Sequence, residues 1–148
     1  MDDVKRANGL PATVAFRLGT LGSLVADEFA ARIEKYGLKP KHAGLLTALS
    51  AGVVASQQDV ATRLGVAPSL VVSLVDHLEE LGAVQRVRDP GDRRRQVLNL
   101  TDHGRELLAE CAAAARSFDA ELTSVLTPDQ SAALQEVLGI LTARAGLP

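Results

Sequence analysis

Ser56–Thr101 reads SQQDVATRLGVAPSLVVSLVDHLEELGAVQRVRDPGDRRRQVLNLT, and this stretch decides the fold. Ser56 can accept a hydrogen bond from the first turn that follows it, with Asp59 at the third helical position. Val60 and Leu64 lie one turn apart on one face. Gly65 stops that helix, and Val66-Ala67 lead into Pro68, a residue favoured at a helix's first position. The second helix carries Val71, Leu74, Val75 and Leu78 at spacings of three and four, a core-facing stripe, and ends at Gly82. A short helix, a turn with glycine and a second helix form a helix-turn-helix, whose second helix can enter a DNA major groove.

Ala83 to Arg88 and Gln96 to Leu100 read as two strands joined by Asp89-Pro90-Gly91-Asp92, strong turn chemistry. Five arginines crowd this hairpin, Arg86, Arg88, Arg93, Arg94 and Arg95, against Asp89 and Asp92. A cationic hairpin beside a helix-turn-helix makes a winged helix, with the wing available to phosphates or the minor groove.

LGVAPSLVVSLVDHLEELGAVQRVRDPGDRRRQVLNLTDHG resembles the winged-helix core of the multiple-antibiotic-resistance regulator (MarR) family. The resemblance rests on the leucine-glycine turn and on the helix ending Val75-Asp76-His77-Leu78-Glu79-Glu80-Leu81-Gly82. It rests also on the wing signature Asp92-Arg93-Arg94 and on Leu100-Thr101-x-x-Gly104 opening the next helix. The flanking helices have the family's order and lengths, so the resemblance covers nearly the whole chain.

The 148 residues are expected to form one domain, with 47% hydrophobic residues enough for a core. With no Trp, one Tyr and three Phe, that core must be mostly Leu, Val and Ala. The expected architecture is mainly α with a small β-wing: a winged helix-turn-helix core at about 38–100, flanked by long helices at about 10–36 and 102–145. The net charge of −2 is low for a nucleic-acid binder. Distribution outweighs the sum: residues 86–95 hold five Arg and two Asp, residues 101–148 seven acids and three Arg. The positive field is thus confined to the wing.

From about Leu10 to Tyr36 runs an amphipathic pattern with Val14, Leu18, Leu21, Val25, Phe29 and Ile33 on one stripe, ended by Gly37. That is more apolar face than one small winged core can cover, and a second copy is the simplest partner. Leu38-Lys39-Pro40 opens the next helix, which ends near Gly52, and Val53-Val54-Ala55 reads as a short strand against the wing. Thr101 caps a helix from about Asp102 to Leu126, and Thr127-Pro128-Asp129-Gln130 opens the last. In the resembled family the terminal helices intertwine into a homodimer; two-fold symmetry then implies a roughly palindromic operator on double-stranded DNA.

On the second helix of the motif, Pro68 opens the groove-facing end. Ser69, Leu70, Val72, Ser73, Asp76 and His77 lie off the core stripe. Ser69, Ser73 and His77 can hydrogen-bond bases or phosphates, and Leu70 and Val72 can meet thymine methyls. No Arg or Lys lies on this helix, so bidentate guanine reading from it is absent, and specificity is expected to lean on DNA shape as well. The resemblance implies that Arg94 reaches the minor groove with Asp92 orienting its guanidinium. Arg86, Arg88, Arg93 and Arg95 are read as phosphate contacts or solvated side chains. The resemblance further implies a small aromatic or lipophilic effector, with Arg17, Tyr36 and His42 as candidate wall residues.

The histidines are scattered, no cluster has metal-ligand spacing, and no nucleophile motif or phosphate loop occurs, so neither an enzyme nor a cofactor is expected. Cys111, mid-helix in an alanine run, reads as a buried inert thiol. No apolar run approaches membrane length, and a cytoplasmic bacterial protein is expected. The reading is a homodimeric, effector-released repressor. Its rival is a winged-helix module that binds protein and does not read DNA specifically.

Overall fold

A computed structural model describes residues 9–52 and 56–147. The chain falls into two compact units, one ending at Ala114 and one starting at Ala115. The expected strand at Val53–Ala55 lies outside the described residues.

The first unit opens with a 3-10 turn, Leu10–Ala12, and helix α1, Val14–Ile33, followed by a second 3-10 turn, Glu34–Tyr36. The Thr13 hydroxyl accepts from the Phe16 N–H and so caps α1. The single stripe expected on α1 divides into two parts. Its far end, Phe29 and Ile33, packs into the core, while Val14, Leu18 and Leu21 stay exposed. Gly37 turns the chain at φ 71°, and α2, Pro40–Ser50, sends Leu45, Leu46 and Leu49 inward.

Helix α3, Gln57–Leu64, begins with a reciprocal cap: Ser56 Oγ accepts from the Asp59 N–H at 3.1 Å, and Asp59 Oδ2 accepts from the Ser56 N–H at 2.9 Å. Gly65 closes α3 in the left-handed region (φ 63°), where a β-carbon would be strained. Helix α4, Pro68–Glu80, then buries Val71, Leu74, Val75 and Leu78. Leu78 is fully buried; truncating such a leucine to alanine costs about 2–5 kcal/mol, because the cavity it leaves collapses only in part.

Strands β1, Val84–Arg88, and β2, Gln96–Leu100, pair antiparallel with Val84 opposite Leu100 and Arg88 opposite Gln96. The sheet is the wing of the expected mainly α, winged helix-turn-helix fold. At its base the Thr101 hydroxyl donates to the Gly82 carbonyl at 2.6 Å and accepts from the Gly104 N–H at 3.0 Å. Helix α5, Asp102–Leu122, is shorter than the expected run to Leu126. Its first turn meets the wing base so closely that a β-carbon on Gly104 would lie 2.1 Å from the Ala83 carbonyl oxygen. That contact is the physical reason for glycine in the Leu100-Thr101-x-x-Gly104 motif. Farther along α5, Leu107 and Cys111 complete the core.

The second unit carries α6, Pro128–Arg144, opened by the expected cap: the Gln130 N–H donates to Thr127 Oγ1 at 3.2 Å, and Gln130 Oε1 accepts from the Thr127 N–H at 3.0 Å. Leu134, Val137, Leu138 and Leu141 are exposed on it. No helix among the described residues is long and apolar enough to cross a membrane.

Candidate nucleic-acid interface

The solvent face of α4 is narrower than its sequence alone would give. Pro68, Ser69, Val72 and Ser73 are exposed. Leu70 is half-buried and packs against the core, so it is not a free apolar probe for a base. Pro68 has no N–H, and the Ser69 N–H has no backbone acceptor among the described residues. A first turn with an open amide and two serine hydroxyls nearby is suited to phosphate or base-edge contact.

His77 was expected at the groove and is placed elsewhere. Its Nε2 lies 2.6 Å from the Gly37 carbonyl oxygen, so this nitrogen carries the proton and donates. Its ring stacks on His42 with centroids 4.5 Å apart. The reason is position: His77 sits between Leu74 and Leu78 on the flank of the buried stripe, facing the start of α2. His42 is itself buried, and its Nδ1 accepts from the Lys39 N–H at 2.9 Å. Burial, then His77, then Lys39 depress its pKa to about 4, leaving a neutral ring at neutral pH.

Arg86 is also relocated. Alternation along β1 puts it on the same face as buried Val84, turned toward α4 rather than outward. Its guanidinium donates to Asp76, to Glu79 at 3.2 Å and to Gln57 Oε1 at 3.1 and 3.3 Å. Asp76, read from sequence as a groove residue, is engaged in this contact. Arg95 pairs with Asp59. The Ser56 amide, then the Ser56 hydroxyl, then Arg95 hold the Asp59 carboxyl below the usual carboxylate range.

Arg88, Arg93 and Arg94 remain exposed, and none has a side-chain partner among the described residues. The turn between them is built by its aspartates. Asp89 Oδ1 accepts from the Gly91 N–H at 2.9 Å, and Asp92 Oδ1 accepts from the Arg94 backbone N–H at 3.0 Å. The resemblance gave Asp92 to the Arg94 guanidinium; instead the short carboxylate closes a local turn on the amide two residues ahead. The Arg94 fork is thereby left to project.

The effector candidates do not converge. Arg17 is exposed and donates from Nε to the Pro11 carbonyl at 3.3 Å. The Tyr36 hydroxyl donates to Glu110 at 2.8 Å. His42 alone of the three lines two adjoining clefts between α2 and α4, of about 400 and 510 Å³, which share Lys39, His42 and Ser73. Leu38 lines the first, and Pro40, Leu70 and Leu74 line the second. Cys111 is buried, and its thiol pKa is raised by burial and by Glu110.

Sequence reasoning missed Gln57, Asp59 and Glu79 as partners of the wing arginines. The available signal was period-two alternation, which puts Arg86 on the core side of β1, and the i, i+3 spacing of Asp76 and Glu79 on the helix facing it.

Residues 36–95 match the MarR family model. The transcriptional repressor MdtR of Bacillus subtilis is 28% identical over 127 residues, 86% of this chain and 82% of that protein. The transcriptional repressor CouR bound to a 23-mer DNA duplex is similar in structure, with TM-score 0.77, 29% identity and coverage of 92% of this chain and 96% of that one. CouR from Rhodococcus jostii RHA1 bound to p-coumaroyl-CoA matches at TM-score 0.76 and 27% identity, covering 93% and 95%. With a helix-turn-helix and a wing on which Arg88, Arg93 and Arg94 have no side-chain partner among the described residues, the winged core matches the MarR family over residues 36–95, and the chain is similar to transcriptional regulators.

Proposed function

We propose that the chain acts as a homodimeric repressor that reads a roughly palindromic operator and leaves it when a small molecule binds. Residues 1–148 serve as one functional domain in this reading. The observation that carries it is the pairing of two free surfaces: Arg93 and Arg94, whose side chains have no partner among the described residues, at the wing tip, and Ser69, Val72 and Ser73 exposed on α4. The arginines supply charge to phosphates or a narrow minor groove, and the helix supplies hydroxyls and one methyl-bearing contact to base edges.

The dimer is supported by apolar faces that a single chain leaves in water. Val14 on α1 is 70% exposed, and Val137 on α6 is 51% exposed. Stripes of this kind are stable where another surface covers them. The effector reading is supported by the clefts beside α4, whose rim carries Lys39, Lys41, His42 and Ser73 around apolar Pro40, Leu70 and Leu74. A molecule with an apolar body and an anionic group fits that lining, and it would press on the same helix that carries Ser73.

The test is selection of binding sites from a random duplex pool, with the enriched duplex titrated across salt and the protein's mass measured in solution. The expected results are an enriched inverted repeat, affinity falling steeply with salt, and a mass twice the 15.6 kDa of one chain. No enrichment, with weak binding to every sequence, would overturn this reading in favour of a protein-binding winged helix.

A further inference from the structure

Among the described residues, Arg86 is the one arginine of the wing whose side chain reaches both helices of the helix-turn-helix, α3 and α4. It stands on β1, opposite Leu98 in the register, and its side chain is 21% exposed. It reaches two carboxylates on α4, Asp76 and Glu79, and the Gln57 amide at the start of α3. A planar guanidinium can serve three acceptors at once in fixed directions; a lysine ammonium cannot reproduce that fork. Two acids against one cation also leave this corner net negative, a poor surface for a phosphate.

We propose that Arg86 is a positioning residue, which fixes the wing against the recognition helix and so sets discrimination between operator and random DNA, while making no phosphate contact of its own. The half of the proposal that concerns operators rests on the DNA-reading function above; the half that concerns the wing's placement does not. Helix α4 and the tip arginines must engage one DNA together, from two elements joined by only Leu81, Gly82 and Ala83. A hinge that short transmits any rotation of β1 directly to Arg93 and Arg94. The Arg86 contacts oppose that rotation in addition to the Thr101 anchor to Gly82. The same pairing keeps Asp76 and Glu79 from presenting two uncompensated charges on the helix that meets DNA.

The first measurement needs no DNA. Spin labels are placed at Val72→Cys and Arg93→Cys in a Cys111→Ser background, and their distance distribution is read by pulsed electron resonance in the presence and absence of Arg86→Gln. A broader or displaced distribution is expected in the variant, with Arg86→Lys between the two. An unchanged distribution overturns the positioning role whatever the protein does with DNA. The second measurement compares unlabelled variants on the selected operator and on random duplex. Arg86→Gln should lower the operator-to-random ratio at least ten-fold with the salt slope unchanged. Asp76→Asn with Glu79→Gln should give the same loss, and the triple variant should be no worse than either. A salt slope lower by about one, with operator and random affinities falling equally, is the mark of a lost phosphate contact and would overturn the proposal.

Discussion

Two arginines of the wing, Arg86 on β1 and Arg95 just before β2, are held by carboxylates from α4 and α3; their neighbours Arg93 and Arg94 project from a turn whose own acids are spent on backbone amides. The two pairs are chemically identical and lie within ten residues of each other. What separates them is the distance of each from the acids of the helix-turn-helix. A count along the hairpin gives five arginines against two aspartates. In space Asp76 and Glu79 stand against Arg86 and Asp59 against Arg95, so the charge of those two arginines is compensated while Arg93 and Arg94 hold the free charge. A field concentrated at a projecting tip is aimed, which is compatible with a chain whose net charge is only −2.

The sharpest way to break this division is to dislodge the base of the wing. Gly104→Ala puts a methyl group 2.1 Å from the Ala83 carbonyl oxygen, and backbone cannot yield as a side chain can. A loss of about 3 kcal/mol is expected, read as a fall in Tm of roughly 6–12 °C for a chain of this size. A Tm within 1 °C of the parent would show that α5 and the wing base can separate without cost.

Next in size is the anchor of α4 on its other flank. The His42 pKa is depressed from 6.5 to about 4, so the unfolded chain binds a proton between those values that the folded chain does not. Stability is therefore full above about pH 6.5 and falls as pH drops toward 4, by up to roughly 3 kcal/mol from this group. Urea denaturation across that range should show a slope that His42→Gln flattens. Equal slopes in the two proteins would mean that the ring titrates normally.

The tip comes third. Arg94→Ala should weaken operator binding more than ten-fold and lower the salt slope by about one, leaving Tm unchanged. Unchanged binding in a gel-shift titration would remove the tip from the interface. Arg95→Ala is the smallest effect. Its partner Asp59 is already satisfied by the Ser56 cap, and an exposed ion pair contributes about 0–1 kcal/mol; a change of two- to three-fold in operator affinity is expected. A loss at Arg95 equal to that at Arg94 would erase the difference between the held and the free arginines.

Cys111 gives a further check on the core. Buried beside Leu107, with its thiol held in the neutral form, it should react with a thiol reagent only as fast as the fold opens. Rapid reaction in the native protein would place that part of α5 at the surface.

The local signals in the chain were strong wherever a few neighbouring residues decide the outcome. Ser56 with Asp59, and Thr127 with Gln130, announce helix starts because side chain and amide lie within one turn. Gly65 and Pro68 mark the helix-turn-helix because glycine tolerates the left-handed turn that ends α3 and proline's fixed φ suits the first position of α4. Val71, Leu74, Val75 and Leu78 give α4 its buried face by period alone. The reading of Asp76, His77 and Arg86 as groove or phosphate residues used the same period, and there it ran short. The side of a helix that is not core is still divided between solvent and neighbouring elements. Nothing in the spacing of α4 reveals that Gly37 and His42 lie against one flank and β1 against the other.

The sequence alone thus determined the winged helix-turn-helix, its boundaries to within a few residues, and the arginine-rich hairpin, because caps, turns and periodicity act over distances of one or two helical turns. Only the tertiary structure decided which arginines are free and which residues of α4 face outward. Those assignments depend on pairs such as Arg86 with Gln57 or His77 with Gly37, 29 and 40 residues apart, and such distances close only when the whole core has packed.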